Sequence, residues 1–440
     1  MAEHAERTTQ TTQNPEREPL IDAARALAVC LVVLFHAGLW RVYDTPTGWQ
    51  ARTMELGPLG WYGSWLFMVM PLFFVAGGFA HAVVVDKMRT RGTGLAHYFA
   101  NRGRRLVGPT TVFITLFAVP SSLAAWLGWV EEAVFVSHNL TKLLWFLVAY
   151  LFIVQIAPAM VWLHDRYPWL VPVLLFAAGT AVDVWTITTG TLDNRYWNLV
   201  IVWPLCHQLG IANQRGFLRR GPLWQPVAAI VVGSAAIVAL LRLHFGTMGG
   251  WPVPALGMGS RWISNLQPPT VLMAWLGLAQ TGMLGLLARR RPTVLEHPGV
   301  QRAMGVVNAL LMTTYLWHMP CVAVSFGIAI GLALLVPSAA GITTFPLFTL
   351  TIALALIAVV VPLVARLDLR MIPPLGARQN GPVAFAALVL LTLSMVGVWR
   401  HGLVVHPAQP LSSLGVLGVW AGSALLAWAA NRPVRPSAAS

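Results

Sequence analysis

The chain has 440 residues, of which 57% are hydrophobic and only 10% charged, with a mean hydropathy of +0.67. Soluble domains carry about 25% charged residues, so a soluble globular protein and a disordered chain are both excluded. The 29 Lys and Arg outnumber 15 Asp and Glu, a net charge of +14; in an apolar chain this excess marks membrane topology rather than a nucleic-acid partner.

The fold class predicted is all-α, a polytopic transmembrane helix bundle. Only helices or closed barrels satisfy their backbone in lipid, and long apolar runs rather than short alternating ones exclude the barrel. Cys30, Cys206 and Cys321 lie in apolar runs without paired or metal-ligand spacing. They read as packing residues, and no metal site is predicted.

Residues 1–19 are polar and read as a disordered cytosolic tail. They lack the apolar core of a cleavable signal, so the first helix is expected to remain as an anchor. The membrane domain covers 20–430, and 431–440 reads as a second cytosolic tail.

With about twenty residues per crossing, helices are expected near 20–41, 59–85, 106–128, 143–163, 169–188 and 197–214. Six more follow near 222–243, 265–288, 303–326, 346–366, 382–400 and 412–430. With uncertain middle boundaries this gives about 10–12 spans. Placing the N-terminus inside puts 22 of the 29 basic residues on the cytosolic side. The bias recurs at every inner loop, which predicts N-in and C-in. Glu131 and Glu132 fall in an outer loop, as does the stretch 42–58.

The first span, LIDAARALAVCLVVLFHAGLWR, carries Asp22, Arg25 and His36. Titratable groups in hydrocarbon cost a few kcal/mol, about 2.5–3.5 by insertion scales, and so mark protein-facing functional positions. Eleven residues at roughly 100° each return Arg25 and His36 to nearly one face, about 16 Å apart along the axis. Asp22, three residues before Arg25, is placed to pair with it.

Span two contains PLFFVAGGFAHAVVV, where Pro71 can kink the helix and Gly77-Gly78 allows close backbone approach. The following inner loop, HYFANRGRRLVGP, sets Arg102 and Arg105 on one face if helical. Clustered guanidinium groups suit phosphate oxygens. Span four opens KLLWFLVAYLFIVQIAP. Span nine contains YLWHMP, with Tyr315 and His318 three apart and both able to exchange hydrogen bonds. Asp183, His207, Gln208, Gln280 and Asn308 are further buried polar candidates without a partner at readable spacing. The remaining histidines read as bland.

Taken in order, these features resemble the membrane-bound acyltransferase 3 family. Arg25, ten intervening residues and His36 carry the resemblance most specifically. The glycine-bearing second span, Arg102-x-x-Arg105 followed by Pro109, Trp145-Phe146-Leu147 with Pro158, and Tyr315 with His318 add to it. Two departures are Ala76, where serine is more usual, and about twelve spans instead of ten or so.

The resemblance implies an acyl-CoA-dependent O-acyltransferase. It would move an acyl group, acetyl being the first expectation, onto a hydroxyl of a carbohydrate, glycolipid or other envelope acceptor. His36, Arg25 and Asp22 would be catalytic, Arg102, Arg105 and Arg25 would bind acyl-CoA, and Tyr315 and His318 would line the substrate cavity. No bound cofactor is expected; acyl-CoA is a co-substrate, and the setting is a bacterial cytoplasmic membrane. The competing class is a secondary transporter in which His36, Asp183 and His207 bind protons or substrate. No internal repetition between the two halves favours it.

Overall fold

The computed structural model describes residues 18–46, 48–54, 57–243, 253–256 and 264–431. The two predicted tails lie outside these apart from their inner ends, as does most of the predicted outer loop 244–264.

The chain begins with α1 (Pro19–Gly38), a hairpin of β1 (Trp40–Thr45) and β2 (Gly48–Thr53), α2 (Gly57–Leu66) and α3 (Met70–Arg91). Next come α4 (Gly94–Trp126), α5 (Val130–Thr141), α6 (Trp145–Arg166), α7 (Leu170–Thr189), α8 (Val202–Gln214) and α9 (Trp224–Arg242). The second half holds α10 (Leu272–Arg290), α11 (Pro298–Leu335), the short α12 (Ala340–Thr343), α13 (Pro346–Met371), α14 (Gly381–His401) and α15 (Pro410–Ala430). Each of the twelve predicted spans is met by a helix. Among the described residues ten are long and apolar enough to cross a membrane, with α2–α3 and α5–α6 each forming one.

The remaining two, α8 and α10, pack inside the bundle. All residues from Val202 to Asn213 of α8 are buried. Thirteen residues rise about 20 Å, short of a bilayer core of about 30 Å, and this helix meets protein on every side. Its closest neighbour is α3. A Cβ on Gly78 would collide with the His207 carbonyl oxygen, and one on Gly210 with that of Val75. Only glycine permits this backbone-to-backbone approach. Around the crossing, Trp203 stacks on Phe74 at 4.7 Å and on Trp145 at 5.8 Å.

Several local expectations are corrected. The Pro71 kink is a break: α2 ends at Leu66, and Pro71 sits in the first turn of α3. A missing N–H costs nothing there, because the first-turn N–H groups have no helical partner. The loop before the third span is helical from Gly94, so the 33 residues of α4 rise about 50 Å. The segment carrying Glu131 and Glu132 forms α5, and 42–58 contains the hairpin. The first helix ends at Gly38, not Arg41, because the next residues pair as β-strand.

Loops that the basic residues assign to one side meet at one end. Arg215 reaches Asp86 at 2.5 Å and Asp165 at 2.8 Å, and Arg89 reaches Asp165 at 2.6 Å. The hydrogen bonds that it donates to Asp86 and Asp165 hold the Arg215 guanidinium above its ordinary pKa. These groups are 27–41% exposed, so each pair adds about 1 kcal/mol or less. Arg219 bonds Glu18 at the same end. At the opposite end Arg400 lies 4.8 Å over Tyr196. There too Arg195, 1% exposed, donates to the carbonyls of Ser264 and Pro268 at 3.0 and 2.8 Å. Burial pushes its pKa down to about 10, with Asp183 opposing.

Candidate active site

Two of the predicted histidines meet. His36, two residues before the end of α1, and His318, in the middle of α11, have ring centroids 5.1 Å apart. His318 Nδ1 lies 2.7 Å from the Tyr315 carbonyl and 3.2 Å from that of Thr314. His36 Nδ1 lies 2.9 Å from the Val32 carbonyl and 3.3 Å from His318 Nε2.

Carbonyl oxygens only accept, so both Nδ1 atoms carry the hydrogens. His318 therefore turns an unprotonated Nε2 toward the Nδ1–H of His36. What remains on neutral His36 is the Nε2 lone pair, which has no protein partner among the described residues. One imidazole has its tautomer fixed so that the other nitrogen can act as base or nucleophile.

Tyr315, one turn from His318, is committed to structure. Its hydroxyl donates to the Leu143 carbonyl at 2.6 Å, and its ring lies 5.0 Å from Phe146. It pins α11 against the start of α6 and so fixes the height of His318.

The predicted cations gather at one end of the bundle. Arg25 on α1 and Arg102 on α4 both lie near enough to the buried His81 of α3 for their charges to act on it. Arg102 is half-buried and Arg105 exposed, and Arg105 feels the charges of both Arg102 and Arg104. Arg104 is used otherwise, donating to Asn101 at 3.2 Å and to the Pro373 carbonyl at 3.1 Å. The Asp22 carbonyl accepts from Asn308 at 2.9 Å, joining α1 to α11. At the same end, a basic groove of about 940 Å³ lies between the start of α1, α3, α8 and α10, lined by Lys87, Arg219, Arg220, Arg289 and Arg291 with Glu18.

His81 is the residue that sequence reasoning passed over. Its Nδ1 lies 2.9 Å from Nε2 of His207, both residues are 1% exposed, and the Tyr150 ring stacks on His81 at 5.9 Å. His81 Nε2 and His207 Nδ1 are buried with no partner among the described residues. Two neutral imidazoles carry two hydrogens, one of which lies between the rings. Whichever ring donates it, the outer ends are one donor and one acceptor. Next to it Gln208 Nε2 bonds His164 Nδ1 at 3.0 Å, leaving Gln208 Oε1 buried and without a partner among the described residues. Asp368 on α13 was also missed; it accepts from Thr313 at 2.5 Å, and its Oδ1 has no partner among the described residues. Only the third dimension joins these pairs, which are 126 and 55 residues apart in sequence.

The other polar candidates find structural partners. Asp183 accepts from Asn198 at 2.9 Å and from the Val271 N–H at 2.8 Å, and Gln280 donates to the Met68 carbonyl at 2.6 Å. Among the described residues no cluster of three or more His, Cys, Asp or Glu could hold a metal.

Comparison with curated proteins and with solved structures returned no match. The family model described as the acyltransferase domain of acyltransferase 3 matches residues 19–365, which includes α1 with His36, the arginines of α4 and the Tyr315–His318 turn. With its apolar helices this makes the chain an integral membrane protein, and it belongs to the acyltransferase 3 family.

Proposed function

We propose that the protein is an O-acyltransferase that draws its acyl group, acetyl in the first instance, from cytosolic acyl-CoA. The acceptor is a hydroxyl of a carbohydrate, glycolipid or other envelope or secreted molecule. The observation that carries this reading is the His318–His36 contact, which leaves Nε2 of His36 as a lone pair.

Both termini face the cytosol of a bacterial cell, and the end bearing Arg102 is the donor side. Arg102, Arg105 and Arg25 hold the phosphates of the nucleotide with charge-assisted hydrogen bonds. The pantetheine arm follows the Arg25–His36 face of α1, about 16 Å along the axis, to bring the thioester to His36. There Nε2 takes the proton of the acceptor hydroxyl as the oxygen attacks the thioester carbonyl. The C–S bond breaks, and the imidazolium returns the proton to the departing thiolate. Through its Nε2, His318 stabilises the Nδ1–H of the imidazolium as it forms.

The test is acyl transfer from labelled acetyl-CoA in membranes bearing wild type or His36→Ala. Label entering an envelope or membrane fraction with wild type alone is the expected result. Equal incorporation by the variant, with equal membrane insertion, would remove His36 from the reaction. A covalent acyl-imidazole is separated from general-base catalysis by rapid quench: labelled protein without acceptor would mean that Nε2 attacks the thioester directly. Gradient-dependent uptake or efflux without acyl-CoA consumption would favour a transporter.

A further inference from the structure

The hairpin that follows α1 is built in two unlike faces. Cross-strand partners share a face, so Trp40, Val42 and Trp49 lie on one side and Arg41, Tyr43, Gln50 and Arg52 on the other. The first side is packed: Val42 is 2% exposed and clusters with Val322 and Phe326 of α11 and Ala353 of α13. Trp40 lies 6.5 Å from Phe326. Val322 and Phe326 are one and two turns beyond His318, about 6 and 12 Å along α11. The hairpin is thus docked immediately past the histidine pair.

On its free side Arg41 and Arg52 are directly opposite one another. Like charges in that relation destabilise a hairpin. Both guanidinium groups converge on Tyr43, at 5.4 and 4.7 Å from its ring centroid. Both arginines are exposed. Neither has an acidic partner among the described residues, and Asp44 projects from the other face. The repulsion is relieved when an oxyanion is gripped between the two forks, which match carboxylate and phosphate oxygens.

We propose that Arg41 and Arg52, held over Tyr43, form the recognition site for an anionic acceptor. The acceptor is a carbohydrate that carries a carboxylate or phosphate besides the hydroxyl being acylated. This rests on the acyltransferase reading and on its orientation, which puts the hairpin on the non-cytosolic side, and it narrows the acceptor to a charged class.

The experiment measures binding, so it needs no knowledge of the natural acceptor. Full-length protein in neutral-lipid nanodiscs is titrated with hexagalacturonate and its methyl ester, and with mannose 6-phosphate and mannose. Wild type is expected to bind at least one oxyanion form tenfold or more tightly than its neutral counterpart. The Arg41→Gln/Arg52→Gln double variant, checked for unchanged melting, should lose that preference. His36→Ala should keep it while failing to transfer label, which separates failure of this site from failure of the enzymatic reading. No preference in wild type for either oxyanion, or a preference that survives the double variant, would overturn the proposal. So would loss of co-purifying anionic phospholipid in the double variant with sugar binding unchanged, which would make the pair a lipid-headgroup contact.

Discussion

His318 presents its Nε2 to the Nδ1–H of His36 at 3.3 Å, while its own Nδ1–H is held by the Tyr315 carbonyl at 2.7 Å. In the proposed reaction His318 is therefore a positioning residue. Replacing it with leucine leaves His36 only the Val32 carbonyl as an acceptor and should lower kcat roughly 10- to 100-fold. The KM for acyl-CoA should not change. His318→Gln, whose amide oxygen can still accept, should recover part of the loss. Equal activity of the leucine and wild-type proteins would show that Val32 alone fixes the tautomer.

Three arginines lie within four residues of α4, and the structure gives them different work. Arg102 lies near the buried His81 and in the proposed reaction meets the nucleotide phosphates, whereas Arg104 donates to the Pro373 carbonyl after α13. Arg102→Ala should raise the KM for acyl-CoA roughly tenfold, the loss of one charge-assisted contact of about 1.5 kcal/mol. Arg104→Ala should leave that KM alone and lower the melting temperature. Steady-state kinetics beside thermal melts in detergent would tell them apart, and the reverse pattern would exchange the roles.

The buried His81–His207 pair makes a prediction in double-mutant form. Each single leucine variant strands the partner's inner nitrogen as well as its outer one, at a cost of about 1–3 kcal/mol for an unsatisfied buried group. Removing both rings removes the orphans together. The double variant should therefore be less destabilised than the sum of the singles, by about 1 kcal/mol or more, measured by melting. Simple additivity would mean that water replaces the lost ring at the inner nitrogen in each single variant.

Gly78→Ala should abolish stable accumulation, since its Cβ would meet the His207 carbonyl rather than a side chain that could swing away. Gly305→Ala on α11, with nothing within 4 Å of the added carbon, should be silent or slightly stabilising, by up to about 1 kcal/mol. Expression level and gel-filtration profile are sufficient readouts.

Hydropathy made the helices legible because lipid rewards apolar length regardless of tertiary detail, and every predicted span coincides with a helix. It could not rank them. α8, enclosed on all sides, looks like any crossing run, and only its 13-residue length and burial set it apart. Helical spacing linked Arg25 to His36 and Tyr315 to His318, since a helix keeps such residues on one face. It could not see His36 meeting His318, 282 residues away. It was equally blind to the role of His81, whose partner lies on another helix. The hairpin was missed for a different reason: strands of six residues with one packed face carry little periodic signal against apolar flanks.

The glycine crossing of α3 and α8 has a mechanical consequence. Two helices in backbone contact have no compressible side-chain layer between them, so they cannot slide or rotate separately and must move as one solid piece. Any path that opens between helices for the proposed donor and acceptor cannot run through this piece. The give in the molecule falls instead to seams bridged by side chains. One of these is the seam between α1 and α11, where the 3.3 Å contact joins His36 to His318 at the proposed reacting centre.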